Sequence, residues 1–190
     1  MWRRVTMPGE MTLPRGAVPP SEDVEGLVRR VLSSLGANHQ LIACDPDFAD
    51  TVRFCAHYGL DPWDSANTIL VASRTEPRRF CACVALAPTR IDVNHRVCEL
   101  MGVRRASFAS AGDTERITGM MIGGVTPFGL PDSLPLYIDS RVLGRESVVV
   151  GGGSRSLKVR IAPGRLAELP GARTIHGLAR LPDPGAPPAP

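Results

Sequence analysis

Residues Met120 to Pro131, "MMIGGVTPFGLP", put three glycines and two prolines into twelve mostly apolar positions. Loops are usually polar, so a greasy stretch that is stiff and short of side chains needs a reason. Glycines at 123 and 124 let main chain pass close to another group and take dihedrals forbidden to other residues, while Pro127 stiffens the path and removes one donor. The expected product is a fixed rail of peptide N–H and C=O groups that holds a small substrate, with Phe128 or Met121 as an apolar wall. A tight helix-to-strand crossover explains the same composition and, on glycine and proline alone, is the simpler reading.

Other residues offer alternative chemistry. Cys81 and Cys83 lie two apart on a β-rich run, and His95 and Cys98 lie one helical turn apart, so four zinc ligands converge in principle. The spacing is a poor match to structural zinc, which pairs cysteines across two-residue gaps, and cysteine is often simply buried. No metal or other cofactor is expected. Cys44 and Cys55 read as core. "GGGSRSLK" from Gly151 lacks the glycine-lysine-serine/threonine ending of a phosphate loop and sits between two strands, so it reads as a hairpin turn. That turn displays Ser154, Arg155, Ser156 and Lys158 as an edge that can contact phosphate. Of the 22 basic residues only Lys158 is a lysine. His57 and His176 have no nucleophile at useful spacing. Asp139 ends an apolar strand, where it serves either as a turn cap or in a site.

These residues must be positioned by a single unit of mixed α/β class. Hydrophobic residues are 43% and charged residues 22%, as in an ordinary globular domain, and the net charge of +3 permits a nucleic-acid partner without requiring one. No run approaches the roughly 20 apolar residues of a membrane span, no secretory leader is apparent in the first residues, and the five cysteines then fit a reducing cytoplasm. Residues 1–20 and the Pro-rich 182–190 are expected to be mobile tails around a folded unit from 21 to 181.

Within that unit the periodicity predicts a helix capped by Ser21 and carrying Val24, Leu27, Val28, Val31, Leu32 and Leu35 to a stop at Gly36. A strand at "HQLIAC" follows, then a helix opened after Asp45-Pro46 with Phe48, Val52 and Cys55 on one face and Gly59 as its end. "ANTILVAS" and "FCACVALA" predict a hairpin around "RTEPRR". "DVNHRVCELMG" and "GDTERITG" predict two further helices, "LPLYID", "ESVVVGG" and "SLKVRIA" three strands, and "PGRLAELP" a last helical turn. Hairpins this frequent exclude a doubly wound parallel sheet and favour a mixed sheet, curved or partly closed, flanked by helices.

"GGVTPFGLPDSLPLYID", preceded by "ITG" and followed by "VVVGGGSRSLKVRI", resembles the YbaK-like aminoacyl-tRNA deacylases, relatives of the editing domain inserted in prolyl-tRNA synthetase. The likeness takes in "DSANTILVAS" and "DVNHRVCELMG", so it covers most of Phe48 to Leu178, and its strongest mark is the G-x-x-x-P loop from Gly123 to Pro127. It implies the family's α/β fold, hydrolysis of the ester joining a wrong amino acid to tRNA, and no metal. It also implies that backbone groups at Gly123, Gly124 and Pro127 position the aminoacyl end, with mischarged tRNA and an aminoacyl-tRNA synthetase as partners and no DNA. Substrate contacts then fall to Thr68, Phe128, Asp139 and Gly151, with Arg155 and Lys158 toward phosphate.

One departure stands out. Where the family commonly has lysine before threonine in an "AKT" strand motif, this chain has Asn67 before Thr68. A neutral amide replaces a cation, a loss of about 1.5–3 kcal/mol if the lysine makes one charge-assisted contact. That leaves two expectations open: a weakened deacylase in which Lys158 restores part of the charge, or a non-catalytic protein that binds aminoacyl-tRNA or a small ligand.

Overall fold

The computed structural model describes residues 23–182. Ser21 and all but one residue of the two predicted tails lie outside that range. Along the chain the elements are α1 (Val24–Ser34), β1 (His39–Ala43), α2 (Thr51–Tyr58), β2 (Ala66–Ser73), β3 (Phe80–Leu86) and β4 (Arg90–Ile91). They continue with α3 (Cys98–Met101), β5 (Ala106–Phe108), α4 (Ala111–Thr118), β6 (Leu136–Asp139) and α5 (Ser140–Leu143). The last are β7 (Val148–Gly151), β8 (Leu157–Ile161), β9 (Ala172–Ile175) and β10 (Ala179–Arg180).

The predicted hairpin is present: β2 and β3 pair antiparallel from Ala66 opposite Leu86 to Ala72 opposite Phe80. It forms the centre of a five-stranded mixed sheet ordered β5-β2-β3-β6-β9, in which β6 joins β3, and β9 joins β6, in parallel. The glycine-rich turn read at "GGGSRSLK" connects β7 to β8, and these make a three-stranded antiparallel sheet with β1. One parallel bridge, Ser65 to Val149, links the two sheets, which stay open rather than closing into a barrel.

Alternation along β2 decides what lies on each side, because side chains two apart share a face. Ala66 and Leu70 face a core shared with Val28 and Leu32 of α1, Val84 and Ile138 of the large sheet, and Val150 and Val159 of the small one. Val71 faces the opposite way, into a second cluster with Cys81, Cys83, Val97, Cys98 and Met101. The buried cysteines at 81 and 83 are thus core residues, their sulfurs 4.0 Å apart, while His95 turns outward to Asp92. Among the described residues no three His, Cys, Asp or Glu side chains gather as a metal site.

Several details differ from the sequence reading. Asp50 rather than Asp45 caps α2, accepting from the Val52 and Arg53 N–H groups, and Asp45 caps a separate turn, Pro46–Phe48. The buried face of α2 is Phe54 and Cys55, with Val52 exposed, because the displaced start rotates the apolar stripe. Phe128 is fully buried in the main core and is no pocket wall. Asp139 proves to be a cap: one carboxylate oxygen accepts from the Arg141 N–H at 2.9 Å and the other from the Ala179 N–H at 2.8 Å. Arg141 adds an ion pair at 3.3 Å, so this buried carboxylate ties α5 to β10 and is not available to a substrate amine.

Removing that carboxylate leaves two buried main-chain donors without their charged acceptor. Asp139→Ala is expected to destabilise the fold by about 1.5–3 kcal/mol, at about 2–4 °C of melting temperature for each kcal/mol in a chain of this size. Thermal unfolding followed by circular dichroism checks this.

Candidate functional site

The G-x-x-x-P loop leaves α4 at Gly119, whose left-handed φ of 71° ends the helix, and crosses to the turn between β7 and β8. Contact there is main chain against main chain. A Cβ on Gly124 would meet the Ser154 backbone at 2.5 Å, and one on Gly151 would meet the Val125 carbonyl oxygen at 2.2 Å. The Gly153 N–H donates to the Gly124 carbonyl at 2.9 Å, closing the seam. Glycine is therefore required at 124 and 151 by space, while Gly123 also sits at a left-handed φ of 94°. Pro127 is buried on the far side of the turn.

Two cations hold the loop from below. The Lys158 ammonium, on β8, donates to the Gly123 carbonyl at 2.9 Å and to the Ala49 carbonyl at 2.7 Å. It lies 5.4 Å from the centre of the Phe54 ring. Arg155 donates to the Ile122 carbonyl at 3.2 Å and to the Pro46 carbonyl at 2.6 Å. Each side chain thus clamps the loop to the segment that leads into α2. Lys158 is 5% exposed, and burial, the largest influence on it, pulls its pKa below the ordinary lysine value. An ammonium enclosed among main-chain oxygens does not sit where a solvent-borne phosphate arrives, so the phosphate-edge reading of Lys158 is corrected to an internal one.

Asn67 stands on the other side of the same segment. Its Oδ1 accepts from Thr51 Oγ1 at 2.6 Å, at the first turn of α2, which leaves both amide hydrogens on Nδ2 directed elsewhere. Asn67 is half-buried. The neighbouring Thr68 points into the main core, buried, and its hydroxyl has no partner among the described residues. Residues 46 to 51 thus link Arg155, Lys158 and Asn67. Sequence reading missed that link, since Pro46 and Ala49 act through carbonyl oxygens that carry no residue signature. Thr51 was in principle visible as a hydroxyl residue following a capping aspartate.

Beside the loop, Met121 and Ile122 are 56% and 58% exposed, while Phe128 is buried. Among the described residues, the N–H groups of Gly123 and Val125 donate to no protein acceptor. The candidate site is a run of peptide dipoles beside an exposed apolar lip, joined through residues 46–51 to the Asn67 amide.

The match to a model of the aminoacyl-tRNA editing domain runs over residues 45–169, from the Asp45 turn through the loop to β8 and beyond. The chain belongs to that family. Among relatives of the editing domain, a candidate Cys-tRNA(Pro)/Cys-tRNA(Cys) deacylase, EbsC, of Enterococcus faecalis is 22% identical over 102 residues, which is 53% of this chain and 59% of that one. Among solved structures, the hypothetical protein APE2540 superposes with a TM-score of 0.72 at 24% identity, covering 80% of this chain and 99% of the other. A candidate trans-editing enzyme for prolyl tRNA synthetase gives 0.69 at 20% identity, covering 82% and 96%. Both superpositions confirm the mixed α/β editing-domain fold.

Because the folded-state pKa of Lys158 lies below the unfolded value of 10.5, burying its charge costs stability at low pH, and the cost is relieved as pH rises through that window. The stability of the wild type relative to Lys158→Met is expected to rise with pH across it, as read from denaturant midpoints. The variant is also expected to speed amide hydrogen exchange at Gly124, whose N–H donates to the Met121 carbonyl, at neutral pH.

Proposed function

We propose that the chain is a stand-alone aminoacyl-tRNA deacylase, which removes a wrongly attached amino acid from tRNA in the cytoplasm beside the synthetase that mischarged it. The observation that carries this reading is the clamped loop: a G-x-x-x-P backbone fixed by Lys158 and Arg155 to the segment whose end, Thr51, bonds the amide of Asn67. An aminoacyl ester is already activated, so a site that orients it and receives the developing charge on fixed donors supplies most of what hydrolysis needs.

In this reading a water oxygen bonds to the ester carbonyl carbon, the bond to the ribose oxygen breaks, and that oxygen leaves with a proton. The Gly123 and Val125 N–H groups take the charge on the carbonyl oxygen. Asn67 Nδ2 orients the ester or the terminal ribose. Met121 and Ile122 meet the amino-acid side chain, and Arg155 sits at the loop mouth on the side of the incoming nucleic acid. Thr68 and Gly151 act behind the site, one through its hydroxyl beneath the strand and the other by admitting the loop.

A second reading is favoured by one observation, the neutral Asn67 where the family commonly carries lysine. It makes the protein a binder of aminoacyl-tRNA or a related small ligand, with the loop kept and the chemistry lost.

A panel of mischarged tRNAs separates the two. The deacylase reading expects release of amino acid above background from at least one, and a kcat/KM about two- to tenfold lower in Asn67→Ala, the equivalent of about 0.5–1.5 kcal/mol for one neutral hydrogen bond. A wild type silent on every tRNA, together with activity gained in Asn67→Lys, establishes the degenerate site instead.

A further inference from the structure

A cleft of about 360 Å³ lies away from the loop, lined by Arg74, Arg90, Arg180, Asp92, Asn94 and Phe108 among others. Its charge is unbalanced. Asp92 accepts from Arg180 at 2.6 Å and from the His95 ring at 3.2 Å, so that carboxylate is already occupied. The same pairing holds its pKa below the ordinary aspartate value despite some burial. Arg74 and Arg90 are exposed and pair with no carboxylate among the described residues. Phe108 lines the same cleft, 54% exposed on the edge strand β5, an uncommon position for a large aromatic ring.

The sheet register relates this cleft to the glycine loop. Phe108 lies directly opposite Val71, so the two share a face of the sheet, and Val71 shares that face with Asn67 by strand alternation. Four residues of strand at about 3.3 Å and one strand spacing of about 4.8 Å separate Asn67 from Phe108 by about 14 Å. Val71, between them on that face, is covered by α3, so a single strand of a few nucleotides would reach the cleft around that helix rather than across the sheet.

We propose that this cleft binds the single-stranded RNA segment adjoining the aminoacylated end, with phosphates on Arg74 and Arg90 and a base stacked on Phe108. Unpaired arginines beside an exposed aromatic ring are the combination that holds single-stranded nucleic acid without reading its sequence. Asn94 and Ser107 line the same cleft with groups that hydrogen-bond a ribose. The inference rests on aminoacyl-tRNA being the substrate, and gives that substrate a second foothold independent of the chemistry at the loop.

The test measures binding of labelled, uncharged tRNA to the full chain by fluorescence anisotropy over a range of salt. Arg74→Glu with Arg90→Glu is expected to weaken binding at least tenfold and to lower the slope of log affinity against log salt by about 1.4, about 0.7 for each phosphate contact on a single strand. Phe108→Ala is expected to weaken binding about fivefold or more with the salt slope unchanged. Tightness unaltered in both variants overturns the proposal, and hands the cleft to an acidic protein surface if a synthetase then binds the wild type and not the double variant. Hydrolysis is followed in parallel on a mischarged tRNA and on a minimal aminoacyl-adenosine ester. Cleft variants that raise KM for the tRNA and leave the minimal ester unaffected support the proposal. A wild type that cleaves neither substrate yet loses tRNA on cleft substitution defeats the deacylase reading alone, and one that cleaves both with no effect of cleft substitution defeats the cleft alone.

Discussion

The ammonium of Lys158 is the contact on which the site geometry depends. It is buried, it bonds two carbonyl oxygens from segments far apart in the chain, and it lies against an aromatic ring. A buried charge without a carboxylate is costly unless dipoles surround it. Here the Gly123 and Ala49 carbonyls and the Phe54 ring do so. The arrangement is directional, because a carbonyl that accepts a bond fixes the N–H of its own peptide: Lys158 on the Gly123 carbonyl fixes the Gly124 N–H, Arg155 on the Ile122 carbonyl fixes the Gly123 N–H, and the Gly153 N–H on the Gly124 carbonyl fixes the Val125 N–H. The loop is therefore oriented from behind by a group a ligand does not touch.

The segment from Pro46 to Thr51 turns this local clamp into a connected site. It offers carbonyls to Arg155 and Lys158 at its start and a hydroxyl to Asn67 at its end, with Asp50 capping α2 in between. The loop and the β7–β8 turn also touch directly at their glycine seam, whereas Asn67 of β2 is tied to them through these six residues. A shift of α2 would be felt at all three, which makes that helix start the joint of the site.

Much of the fold was legible because long periodic runs announce themselves. The α1 stripe, the β2–β3 hairpin, the glycine stops at 59, 102 and 119, and the turn after β7 all follow from spacing and turn chemistry. Strands β4, β5, β9 and β10 were not, since runs of two to four residues pair only because a neighbour is already in place, and no local pattern encodes the neighbour. The motif marked the loop, and the family likeness marked Asn67, as candidate site residues. The bonds from Lys158 and Arg155 to main-chain oxygens were illegible, as any residue type supplies a carbonyl. Asp139 and Phe128 were misassigned for a related reason. Proximity in sequence to a functional loop says nothing about which side of the sheet a side chain enters.

The seam between Gly124 and Gly151 also partitions the loop by what inheritance can alter. Where two backbones touch with no room for a methyl group, substitutions are purged for steric reasons whatever ligand is bound. Met121 and Ile122, a few residues away and facing solvent, carry no such veto. Diversification of ligand preference in this lineage would then be channelled through that pair of side chains, with the peptide frame passed on unchanged.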